Sequence, residues 1–191
     1  MSHVNRIALV TEPDDPEVKE TLAALKRAYG RIPNFYAVLA QSPAALRAMT
    51  AFDDAIDGGR LDAKLAERIA LLTAQTNRCE YCLSAHSAAG RAAGLPADEI
   101  AGARIGQSSD RRSAIALRVA QEMLDRAGDV SDETLVAARE EGFGDAELVE
   151  LLALVASNIF SNYLSRLART EIDYKRVALD DDIVPANGSS S

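Results

Sequence analysis

Sulfur and imidazole are scarce in this chain, whose 191 residues hold two cysteines and two histidines. The cysteines, Cys79 and Cys82, stand three positions apart. Two thiols so placed read as a redox or metal pair rather than as a staple between distant segments. Positive charge is also short, since 21 Lys and Arg face 29 Asp and Glu for a formal charge of -8. A nucleic acid or an anionic membrane surface would have to be met against net repulsion. We therefore expect no nucleic-acid partner and no membrane partner, and a protein or small molecule instead. No stretch approaches the ~20 consecutive apolar residues of a membrane span, and no basic segment followed by an apolar one marks export. The expected location is cytoplasmic. Repeats are absent, as is any period-2 run long enough to build a sheet.

What is abundant is helical periodicity. With 48% apolar side chains the chain can bury a core of its own, and one domain is the simplest count. The segment Arg6 to Val10 reads as an extended arm, and Thr11 to Pro16 as turn and cap material. Val18, Leu22, Leu25 and Tyr29 carry a first amphipathic helix stopped at Gly30. A short segment with Phe35, Val38 and Leu39 follows. Ser42 and Pro43 open another helix, as N-cap and N1, through Leu46, Met49 and Phe52 to Gly58. From Asp62 a run with Leu65, Ile69 and Leu72, joined by Ala70, Leu71 and Ala74, is apolar on most of its circumference and belongs mid-domain. Further helices are expected from Pro96 to Ala103, from the Ser108 to Asp110 cap signal to Ala127, and from Ser131 to Gly142. Asp145 caps the last and longest, with Leu148, Leu151, Leu152, Val155, Ile159, Tyr163 and Leu167 at spacings of three and four. The expectation is an all-α, single-domain helical bundle of about seven or eight helices over residues 1–180. Residues 1–15 form its N-terminal arm and 181–191 a disordered tail.

Chemistry is concentrated between Thr76 and Leu95, which hold both cysteines and His86. Asn77 and Glu80 have the spacing of a capping box, predicting a helix with Asn77 as N-cap that runs to about Ala93, with Gly94 at the left-handed C′ position and Pro96 beyond. Cys79 then lies in the first turn and Cys82 one turn on, where the helix dipole favours a thiolate. The dipole is worth only ~0.3 to 1 kcal/mol, less than one pKa unit, so another partner is needed. His86, four residues after Cys82, stands on the same face. Ala85, Ala89, Gly90 and Ala93 are small, so another helix can approach that stripe. Glu67 would lie about 18 Å from Cys79 on one continuous helix, too far to act. A bend at Thr76-Asn77 would bring it toward the cysteines.

The set Glu67, Cys79, Cys82 and His86, with the local text CEYCLSAH, resembles the signature of the alkylhydroperoxidase D-like proteins of the carboxymuconolactone decarboxylase superfamily. IPNFYAVLAQSP upstream and NYLSRLARTEIDY downstream are similar to its peroxidase-related branch. The resemblance implies an all-α fold, assembly as a homotrimer or homohexamer, and haem-free thiol chemistry with no bound cofactor. It implies a thiol-dependent alkyl hydroperoxidase or disulfide reductase: Cys82 attacks the peroxide, Cys79 resolves the sulfenic acid as a disulfide, and Glu67 and His86 relay the proton. Its partners would be a hydroperoxide or disulfide substrate and a dithiol or thiol-protein reductant. The chain departs from the better characterised peroxidases at Tyr81, where they carry a second histidine; a phenol there can donate a hydrogen bond in support but does not shuttle a proton at pH 7. It also carries Arg166 where relatives often have histidine. The decarboxylase namesakes lack the cysteine pair. Two other readings of the same residues stand beside the enzyme: a redox-sensing or interaction module with little turnover, and a metal-binding helical protein with Cys79, Cys82, His86 and Glu67 as ligands.

Overall fold

The periodic segments all become helices, and the short segment around Phe35 adds one more than expected. The computed structural model describes residues 5–180, among which there are nine helices and no strand. They are α1 (Pro16–Tyr29), α2 (Asn34–Leu39), α3 (Pro43–Asp57), α4 (Ala63–Thr76), α5 (Glu80–Ala92), α6 (Ala97–Arg104), α7 (Arg111–Asp125), α8 (Asp132–Glu140) and α9 (Asp145–Ala168). The anticipated caps at Ser42, Asp110 and Ser131 accept backbone N–H bonds. At α9 the cap shifts by one: Gly144 is the N-cap, and Glu147 reaches back to its N–H at 2.9 Å. The expected tail from 181 onward lies outside the described residues.

The chain forms a single all-α domain built around α4, which touches α5, α6, α7 and α9. Ile69, Leu71 and Ala74 of α4 are fully enclosed, so its near-continuous apolar surface is matched by neighbours on several sides. Among the described residues before α1, two backbone hydrogen bonds tie the segment to its own chain. The Arg6 N–H donates to the Ala168 carbonyl at 2.7 Å and the Val10 N–H to that of Ala37 at 2.8 Å. After α9, residues 170–180 run back without regular structure along the outer side of α5. There Arg176 forms a double hydrogen bond with Glu80, and the Val177 N–H donates to Ser84 Oγ at 3.0 Å.

Two stripes differ from the sequence reading, for the same reason. On α3 the expected inward Phe52 is exposed, and Asp53 turns partly inward instead. On α9 Leu151 and Val155 are buried as expected, whereas Leu152, Tyr163 and Leu167 face outward. The inward register over the second half of α9 belongs to Ser157, Asn158, Asn162 and Ser165. Polar residues inside are tolerable when bonded: Asn158 Nδ2 donates to the Leu154 carbonyl at 2.9 Å, and Asn162 Oδ1 accepts from Asn77 at 3.1 Å. By length and composition α9 is the one helix among the described residues that could cross a membrane. Its polar inner face, packed on α3, α4, α5 and α7, gives it the role of a core helix here.

Candidate functional site

The bend between α4 and α5 is made by three residues rather than by a cap at Asn77. Asn77 closes α4, Arg78 takes a left-handed conformation at φ 55°, and the Cys79 N–H bonds back to the Ala74 carbonyl at 2.8 Å. With the Arg78 N–H on the Gln75 carbonyl at 3.0 Å this is a Schellman turn, in which arginine occupies the place glycine usually takes. The expected capping box is therefore absent. Asn77 instead ties the bend to Asn162, and Glu80 is engaged by Arg176. Arg166 Nη1 donates to the Asn77 carbonyl at 2.9 Å, so this position clamps the turn to α9.

Cys79 becomes the N-cap of α5, its Sγ accepting from the Cys82 N–H at 3.2 Å. The two cysteines are joined as a disulfide with their Cα atoms 5.3 Å apart. Both sulfurs sit at the positive end of the α5 dipole, as the spacing anticipated, although the N-cap falls two residues later than expected, at Cys79 rather than Asn77. Their residues are 1% and 4% exposed, so any reagent must come past neighbouring groups to reach them.

His86 follows Cys82 by one turn on the same face of α5, and the bend brings Glu67 of α4 to it. Glu67 Oε2 lies 3.0 Å from His86 Nδ1. These side chains keep 21% and 28% exposure, making them the wetter part of the site. Burial pulls the imidazole toward neutrality, but the Glu67 charge and hydrogen bond, with the Asp53 charge behind them, outweigh it and raise the pKa. Gly90, one turn beyond His86, lies beside the crossing of α4 and α5. A Cβ there would lie 3.2 Å from Leu95 Cδ1 and 3.8 Å from Glu67 Cβ.

Tyr81 is not part of this face. Its ring packs edge-on against Tyr174, and its hydroxyl accepts from the Phe35 N–H at 3.1 Å. Burial raises its pKa further, so it is a packing and hydrogen-bonding residue on the opposite side of α5. Sequence reasoning missed Asp53, Tyr36 and Ser157. Ser157 Oγ donates to Asp53 Oδ1 at 3.0 Å and the Tyr36 hydroxyl to Oδ2 at 3.4 Å. The available signal was an acid at the inward register of an amphipathic helix, between Met49 and Ile56. Among the described residues no group of three or more His, Cys, Asp or Glu side chains is arranged to hold a metal ion.

An all-helical domain with a Cys-x-x-Cys at a helix start and a Glu–His pair one turn on is similar in layout to the alkylhydroperoxidase D-like proteins. The fold is similar to that of the alkylhydroperoxidase AhpD core of Ralstonia eutropha JMP134, an uncharacterised peroxidase-related protein. That likeness has a TM-score of 0.78 and 26% identity, over 89% of this chain and 93% of that one. A peroxidase-related protein of Silicibacter sp. TM1040 shares the fold at TM-score 0.76 and 20% identity, over 93% and 96%. So does the debrominase Bmp8, solved with 2,3,4-tribromopyrrole, at TM-score 0.75 and 17% identity, over 88% and 91%. The carboxymuconolactone decarboxylase family model matches residues 43–125. An uncharacterised protein of Haemophilus influenzae is 41% identical over 69 residues, 36% of this chain, and the match spans 57% of that relative's length. Over residues 43–125 the chain is thus similar to the carboxymuconolactone decarboxylase family, and over most of its length to a solved alkylhydroperoxidase D-like core.

Proposed function

We propose that this protein is a thiol-dependent hydroperoxidase or disulfide reductase working through Cys82, Cys79, His86 and Glu67. The observation that carries the reading is the Glu67–His86 contact one turn beyond a disulfide-linked Cys-x-x-Cys at a helix start. In the reduced protein His86, backed by Glu67, takes the proton of the Cys82 thiol. The thiolate attacks the terminal oxygen of a hydroperoxide; the O–O bond breaks, the leaving alkoxide collects the proton from His86, and Cys82 becomes a sulfenic acid. The Cys79 thiol then attacks Cys82 Sγ, water leaves, and the disulfide forms. A dithiol donor returns both cysteines to thiols by exchange, becoming a disulfide itself. Cys82 is assigned the attacking role because it shares its helix face with His86, and Cys79 the resolving role because it is adjacent.

Access favours a small substrate entering beside His86 and Glu67, which are wetter than the sulfurs. The family's peroxidase-related members support the peroxide, and the Cys-x-x-Cys supports a thiol reductant. The proposed working form is a homotrimer or homohexamer in the cytoplasm. Near-complete burial of both sulfurs also favours a second reading, a redox-responsive module that oxidises once and turns over little. Steady-state consumption of an alkyl hydroperoxide with a dithiol donor decides between them. The enzyme reading expects turnover that Cys82→Ser abolishes; equal rates in the variant would remove Cys82 from catalysis. Single-equivalent oxidation without turnover would favour the module.

A further inference from the structure

Cys79 and Cys82 close a small ring, and both residues inside it, Glu80 and Tyr81, touch one other segment of the chain. Arg176 Nε and Nη2 donate to the Glu80 carboxylate at 2.9 and 2.7 Å, and the Tyr174 ring packs edge-on against Tyr81 with centroids 5.8 Å apart. One turn on, Ser84 Oγ accepts from the Val177 N–H at 3.0 Å while donating to the Glu80 carbonyl at 2.8 Å. The same segment continues onto the last turn of α4, where Gln75 Nε2 donates to the Asp180 carbonyl at 3.0 Å. Arg104 of α6 holds it there too, through the Ala178 carbonyl at 2.9 Å. Its near end is anchored away from the ring, where Asp173 pairs with Arg31 and accepts from the Asn34 N–H at 3.0 Å. Residues 170–180 thus form a strap without helix or strand, with Ile172, Tyr174, Val177 and Leu179 partly buried against the core.

We propose that this strap is a redox-linked latch, docked on the Cys79–Cys82 turn while the disulfide stands and loosened when the disulfide is reduced. A segment held by side-chain bonds and a few half-buried residues opens at lower cost than the packed helices around it. What it grips also differs between redox states. A dithiol donor breaks the S–S bond with two electrons and two protons, leaving two thiols and a donor disulfide. The thiols then take up non-bonded separation, and the backbone of the turn that carries Glu80 and Tyr81 readjusts with them. A strap fitted to the closed ring fits the open one less well. Linkage makes the effect reciprocal: the factor by which reduction weakens docking is the factor by which docking favours the disulfide. The latch rests on the thiol–disulfide chemistry proposed above, but it is read without peroxide turnover.

Amide hydrogen exchange of the full chain, oxidised and then reduced with dithiothreitol, reads the strap directly. The Val177 amide should exchange at least about fivefold faster after reduction, while that of Leu117 in the core of α7 stays the same. Equilibration against mixtures of reduced and oxidised dithiothreitol reads the reciprocal half. Tyr174→Ala combined with Arg176→Ala removes both grips on the ring and should shift the equilibrium at least about threefold toward the dithiol. Lys175→Ala, at an exposed strap position, should match the parent. Equal Val177 exchange in the two redox states, or a double variant that equilibrates as the parent does, would overturn the latch. If the double variant does not fold, the exchange comparison on the parent decides alone. A disulfide that dithiothreitol leaves intact would overturn both the latch and the thiol chemistry. Coupling without peroxide turnover would count against the catalytic reading and leave the latch standing.

Discussion

Glu67 and Asp53 are carboxylates whose replacement has separate, measurable consequences. Glu67 contacts His86 directly, so Glu67→Gln keeps a hydrogen-bonding partner at Nδ1 while removing the charge that favours the imidazolium. Alkylation of the reduced protein near pH 7 should slow several-fold; an unaltered rate-versus-pH profile would take Glu67 out of the site. Asp53 is raised from its ordinary 3.8 to about 6 in the fold. The native state therefore prefers the neutral acid. The stability from that preference is complete below about pH 4 and is lost as pH rises through 6. Replacing Asp53 with asparagine should accordingly stabilise the protein at pH 8, by up to about 3 kcal/mol, and leave it nearly unchanged near pH 4. Urea unfolding at the two pH values measures this directly.

At the level of elements, the crossing of α4 and α5 brings Glu67 to His86, and Gly90 lies beside that crossing. Gly90→Val would force branched carbon into a space bounded by Leu95, Ile100 and Glu67. Overpacking of this kind costs about 1–3 kcal/mol. The expected result is a lower melting temperature together with slower alkylation, because Glu67 is pushed off His86; a thermal loss with an unchanged alkylation rate would place Gly90 in packing only. A different junction sets acid resistance. Glu122 of α7 accepts from the Ser131 N–H at 2.8 Å and from the Thr134 hydroxyl at 2.5 Å, and these bonds outweigh burial to lower its pKa from 4.5 to about 2. Its support for the start of α8 is present above the ordinary value and fades as pH falls toward 2, so Glu122→Gln should flatten the pH dependence of stability between about 4.5 and 2. Helix spans were legible in the sequence because caps such as Ser42, Asp110 and Ser131 coincide with apolar periodicity. The grouping of Cys79, Cys82 and His86 was legible from spacing alone, and Glu67 from the need for a bend. The register of the bend was not, since an asparagine can end one helix as readily as it starts the next. Asp53 and Ser157 were hidden because polar residues on an inward face look like breaks in a stripe until their partner appears from another helix.

At the scale of the molecule, one face of α9 presents an apolar strip to the outside among the described residues. Val149, Leu152, Ala156, Phe160, Tyr163 and Leu167 recur at three and four along α9 and all face outward, with Val149 at 68% and Leu167 at 61% exposure. That spacing is the seam of a helix packed against another helix, and it runs for about 27 Å at 1.5 Å per residue. An exposed apolar strip of such length is unfavourable on an isolated protein and marks an interaction surface. The polar inner face of α9 explains why the strip exists: Ser157, Asn158 and Asn162 take the inward register for the site and the bend, so the longest apolar stripe is turned to the outside. A second copy of the chain is the occupant consistent with the proposed trimer or hexamer, since the seam is self-complementary in length and chemistry. Phe160→Glu, alone and combined with Leu167→Glu, should shift the sedimentation coefficient to that of a 20.4 kDa monomer while preserving helical content. Retention of the parent mass in the double variant would assign self-association to another surface.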